Sequence, residues 1–149
     1  MKVFIIVVLV ALAATVALPQ GAGAQSGLAA AKTQLTTAIF HSGELAQRGT
    51  VVAASKTHLQ HTMNCLEGPR GANFNAAPGN PCQGQGNGVI PDLQAAQTAG
   101  VAGAGRALMF TNVAQTLILT ALKSDDVNLV QPYAIVISNQ LKQAMAALP

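Results

Sequence analysis

Five side chains in this sequence combine useful chemistry with useful spacing: His41, His58, His61, Cys65 and Cys82. His58 and His61 form a His-x-x-His pair and Cys65 follows four residues later, so in a helix the three lie along one flank. Neutral imidazole is a ligand for copper, zinc and nickel alike. Two opposed imidazoles could instead grip a haem iron from either side, although the Cys-x-x-Cys-His motif of covalent haem attachment is absent. Cys65 and Cys82 are the only cysteines. An even pair in a chain that opens with an export signal reads as a disulfide, with thiolate ligation or a free thiol as the other uses. A bridged sulfur has no thiolate to donate, which leaves His41, His58 and His61 as the candidate metal ligands.

Whether these rings meet depends on the elements that carry them. From Ser26 to Glu67 there is no proline, and Leu28, Ala31, Leu35, Ile39, Ser42 and Ala46 fall on one helical stripe. Arg48-Gly49-Thr50 interrupts it, with a glycine suited to a left-handed helix end and a threonine suited to capping the next helix. A helical hairpin at Gly49 brings residues equally far from the turn level with each other, so His41 arrives opposite residues 57 and 58. The second helix then buries Val52, Ser55, Leu59, Met63 and Leu66, with Met63 on the core side as packing. The competing architecture is one continuous helix bent at Gly49. At about 1.5 Å of rise per residue it would hold His41 more than about 20 Å from the other two rings.

Residues 68–91 are crowded with Gly, Pro, Asn and Gln and read as a long surface crossover, pinned by Cys82. Closing a loop of this length with a disulfide is worth about 3 kcal/mol. A third helix is expected from Asp92, with its carboxylate near the cap position, through to Leu122. Gly100, Gly103 and Gly105 would bend it or admit a neighbouring backbone. Ser124-Asp125-Asp126 supplies capping chemistry for a last helix with a buried stripe of Val130, Ala134, Ile137, Leu141, Ala144 and Leu148, and Pro132 either falls near its first turn or delays its start. The fold class is therefore all-α, a four-helix bundle with a disulfide-pinned crossover between helices 2 and 3.

Lys2, an uncharged apolar stretch from Val3 to Leu18 and Ala22-Gly23-Ala24 have the order of a signal peptide over residues 1–24, with an uncleaved anchor as its rival. Cleavage after Ala24 leaves one domain, residues 25–149, in the periplasm or secreted, with no membrane span. It also removes Lys2, leaving seven basic and five acidic residues, the basic ones scattered, which points away from nucleic acid. Aromatic residues make up 3% of the chain and Trp is absent, which disfavours grooves built on aromatic platforms. The five acids, Glu44, Glu67, Asp92, Asp125 and Asp126, fall near turns or exposed flanks, and Ser42 and Ser138 have no evident His and Asp partners. No acid–base or nucleophilic constellation assembles, so the sequence reads as a binding protein and not an enzyme. Gly84-Gln85-Gly86-Asn87-Gly88 lacks the strand and helix register of a phosphate loop. A cofactor-free module that presents the 68–91 loop to a protein partner is the other reading.

The stretch Ala38-Ile39-Phe40-His41, followed by His58-Leu59-Gln60-His61, resembles small periplasmic helical bundles of bacteria that carry histidines on facing helices and bind divalent metals. The resemblance covers about residues 34–66 and implies His41, His58 and His61 as ligands. Such proteins usually carry many more histidines in repeated motifs. Three histidines without a repeat point away from high-capacity metal storage.

Overall fold

The structure is a computed structural model that describes residues 21–149. The export signal expected over residues 1–24 falls mostly outside that range. The described residues form five α-helices and no strand: α1 (Gly21–Phe40), α2 (Val52–Glu67), α3 (Val89–Thr98), α4 (Ala104–Ala121) and α5 (Val127–Ala146). A wide π-helical turn, His41–Ala46, extends α1. No helix among the described residues is long and apolar enough to cross a membrane.

The apolar stripes supply most of the core, although Leu28, Ile39 and Val52 are only partly buried against it. Ala31, Leu35 and Ala38 from α1, Leu59, Met63 and Leu66 from α2, Ile118 from α4, and Val130, Ala134, Ile137 and Leu141 from α5 are all fully buried. The α4–α5 pair makes the most extensive helix–helix contact, while α3 bridges α1 and α4.

Five α-helices replace the expected four because the third segment is two helices. The chain breaks over residues 99–103, where Gly100 (φ +77°) and Gly103 (φ +80°) adopt the left-handed conformation that glycine permits. A Cβ at Gly103 would also strike the carbonyl of Ala147, so the glycines end one helix and turn the next onto α5. The crossover is shorter than expected, because α3 starts at Val89. Pro91 sits in its first turn, where a missing N–H costs nothing. Asp92 is consequently not a cap. Its buried carboxylate accepts hydrogen bonds from Gln34 Nε2 (2.7 Å), the Asn87 backbone N–H (3.1 Å) and Asn87 Nδ2 (3.0 Å), tying the end of the loop to α1.

The hairpin after α1 exists, but its turn uses other means than expected. No side chain caps α2, so Thr50 does not serve as its cap, and Gly49 is not among the glycines with positive φ. Gly49 is needed for space: a Cβ there would come within 2.9 Å of the Ser55 backbone nitrogen. At the far end, α5 starts at Val127 behind an Asp126 cap and runs through Pro132, without the delayed start that the proline allowed.

Candidate metal centre

His41 is the first residue of the π-helical turn, and His58 and His61 lie one turn apart on α2. Ser42 and Gly43, poor helix formers, follow His41, and the Ser42 hydroxyl donates to the carbonyl of Ala38 at 2.9 Å. Such widened turns are frequent at functional positions. Gly43 is fully packed against α5, with Ser138 Oγ 2.6 Å from where a Cβ would lie, so the turn is held close to the core and His41 faces α2.

The hairpin brings the three imidazoles together. Their candidate ligand atoms all lie within 4.8 Å of one another, close enough to hold a metal ion. His41 Nδ1 stands 3.4 Å from His58 Nδ1 and 3.3 Å from His61 Nδ1. Two nitrogens bound at about 2.0–2.1 Å to one tetrahedral zinc are separated by about 3.3–3.4 Å, so both contacts fit edges of that tetrahedron. The rings are not stacked: His61 meets His41 and His58 edge-on, at interplanar angles of 87° and 70°.

His61 is oriented from behind. Its Nε2 lies 2.6 Å from the carbonyl oxygen of Pro78, which can only accept, so the ring proton sits on Nε2 and the Nδ1 lone pair faces the other imidazoles. A ring nitrogen donating to a carbonyl is the usual support of a histidine ligand. Burial, followed by the neighbouring His61 and His58, pushes the pKa of His41 down to about 4. Burial and then His61 lower that of His58 as well. Both rings are thus neutral at physiological pH, the form that binds metal.

Cys65 and Cys82 form a disulfide with a Cα–Cα distance of 5.2 Å, which removes Cys65 from the ligand set. Met63 is fully buried in the core. Set against known protein families, curated proteins and solved structures, the chain matches none of them.

The residues behind the three imidazoles were harder to read from the sequence. Pro78 contributes a backbone atom and leaves no side-chain signature. Asn64 had a signal: an amide inside a helix, flanked by Met63, Cys65 and Leu66, is a poor helix former with no exposed face and must be hydrogen-bonded. Glu67 was also misplaced. It is buried, and accepts from the Asn73 backbone N–H (2.7 Å), Asn73 Nδ2 (2.6 Å) and Gln115 Nε2 (2.6 Å). A cleft of about 300 Å³ opens beside it, but this carboxylate is already occupied by loop and helix donors.

Proposed function

We propose that this protein binds one transition-metal ion through Nδ1 of His41, His58 and His61. The observation that carries the reading is that His41 Nδ1 stands 3.3–3.4 Å from Nδ1 of both His58 and His61, with the Pro78 carbonyl behind His61 Nε2 favouring the ligating tautomer. An all-imidazole set suits zinc, copper or nickel. Three nitrogens leave the fourth position of a tetrahedral ion to solvent or to an incoming ligand, as in sites that exchange what they bind. Haem fits the spacing less well, since axial imidazoles on opposite faces of an iron stand about twice the roughly 2 Å metal–nitrogen bond apart. We place the protein outside the cytoplasm, in keeping with its leading segment and its disulfide.

The reading predicts one metal ion per chain in a calorimetric titration of the disulfide-intact protein with zinc or copper. His41 approaches both partners, so His41→Ala should weaken binding by at least about a hundredfold. His58→Ala and His61→Ala should weaken it too, with helical content unchanged. A wild-type protein that takes up neither ion, or a His41→Ala variant that binds as tightly as wild type, would refute it. An absorption spectrum after addition of haem tests the alternative.

A further inference from the structure

The fully buried amide of Asn64 makes all four hydrogen bonds its two donors and two lone pairs allow. Its Nδ2 donates to the carbonyls of Asn75 (2.6 Å) and Gly79 (2.7 Å), and its Oδ1 accepts from the Asn75 backbone N–H (3.0 Å) and from Gln60 Nε2 (3.0 Å). Asn75 and Gly79 flank Pro78, the residue whose carbonyl meets His61 Nε2. Asn64 also follows His61 by one helical turn, so the ligand and the clamp share a flank of α2. The disulfide starts at the next residue, Cys65, and closes the same loop at Cys82.

We propose that Asn64 is a positioning residue for the metal centre: by clamping residues 75–79 it presents the Pro78 carbonyl to His61 and so commits His61 Nδ1 to the metal. The proposal rests on the metal-binding reading and assigns the crossover loop its task. Neutral imidazole can carry its proton on either nitrogen, and a proton on Nδ1 blocks that atom as a ligand. A fixed acceptor behind Nε2 settles the tautomer and the ring orientation before the ion arrives. A polar side chain buried this deeply is stable only because every group it presents is paired, so the loop and the helix specify each other.

The test measures zinc affinity by competition with a chelator, together with the ¹⁵N ring signals of His61 in the metal-free protein at neutral pH. Asn64→Asp keeps size and acceptors but loses both donors. Gly79→Ala leaves the helix untouched and strains the loop beside Pro78, since Gly79 has φ +105°, a conformation L side chains rarely adopt, while the added Cβ would make only ordinary contact with His61 Nε2 at 3.7 Å. Both variants should bind zinc about 10–100-fold more weakly, the usual consequence of losing the group that orients a histidine ligand. His61 should change from a single Nε2–H tautomer to a mixture, with the disulfide intact by mass spectrometry. Val130→Ala, a core truncation on α5, should lower stability without moving affinity or tautomer. Should Asn64→Asp fail to fold, Gly79→Ala decides alone. The proposal is overturned if zinc affinity in the folded variants stays within about twofold of wild type, if the tautomer is unchanged, or if Val130→Ala weakens zinc equally. A wild-type protein that takes up no zinc, yet loses the Nε2–H tautomer in the variants, sinks the metal reading while supporting the clamp.

Discussion

The α4–α5 pair and the α1–α2 pair face the same packing problem and meet it with different residues. Along α4 and α5 the buried positions are Ala104, Ala107, Thr111, Ala114, Ile118 and Ala121 against Val130, Ala134, Ile137, Leu141 and Ala144, spaced three or four apart, with Thr111 and the additional buried Ser138 the only polar side chains among them. Small side chains at helical period let the two backbones approach over a long seam. The α1–α2 side is less regular. It contains the π-helical turn, the close approaches at Gly43 and Gly49, and the buried polar residues Gln34, Ser42, Ser55, Thr62, Asn64 and Glu67. Buried polar groups cost stability unless paired, and here the crossover loop supplies partners to Gln34, Asn64 and Glu67. One side supplies stability through apolar area, and the other gives up regularity to fix the positions of three imidazoles.

The sharpest way to break that division is to damage each side and read both properties. Ile137→Ala removes a fully buried side chain from α5 and should cost about 2–5 kcal/mol in urea unfolding. The folded fraction should still bind zinc as tightly as wild type. His41→Ala should do the reverse, since its ring is only partly buried and forms no part of the core. If Ile137→Ala weakened zinc tenfold in the folded protein, the two sides would be energetically one.

Much of this is legible in the sequence itself. The stripes on α1, α2 and α5 follow from period alone, because a buried helix face imposes its spacing on the sequence. Placing His41 opposite His58 needed only the reversal at Gly49 and equal counting from the turn. What could not be read depends on tertiary contact. Thr50 looks like a cap in any local window, yet the chain enters α2 at Val51, in extended conformation, with no side-chain cap. Gly100 and Gly103 could bend a helix or end it, and only the approach of Ala147 decides between them. Asp92 and Glu67 look solvated until the loop folds over them, and a backbone acceptor such as Pro78 leaves no mark in the sequence.

The polar side should also respond to pH where the apolar side does not. His41 titrates near 6.5 in the unfolded chain and is pushed down to about 4 in the folded one, chiefly by burial. Between those values the unfolded state binds more protons, so the slope of unfolding free energy against pH is positive. The stability tied to a neutral His41 is thus full above about pH 6.5 and is lost as pH falls toward 4. His58, lowered in the same direction, adds to the trend. The melting temperature of the metal-free protein should therefore fall steadily over that range. Solvent around these half-exposed rings keeps the effect smaller than a fully buried group would give. In His41→Ala the dependence should flatten. A wild-type melting temperature unchanged across the range would show that His41 takes up its proton in the folded protein as easily as in the unfolded chain.

The smallest expected effect separates the two sides at their helix starts. Asp126 caps α5, its carboxylate accepting from the Asn128 backbone N–H at 2.9 Å, while Ser124 Oγ accepts from the Asp126 N–H at 3.1 Å. Asp126→Ala should cost about 1 kcal/mol, the usual value for a lost N-cap. Thr50→Ala, which the local sequence marks as the equivalent loss on α2, should change stability by less than about 0.5 kcal/mol, because no cap bond exists there to lose. The entry to α2 is set instead by Gly49, whose missing Cβ admits Ser55 and whose carbonyl accepts from Gln131 Nε2 on α5 at 2.5 Å. Equal losses from the two substitutions in chemical denaturation would mean that Thr50 caps α2 in solution. The register that sets His41 opposite His58 would then depend on a local signal and not on the packing of the turn against α5.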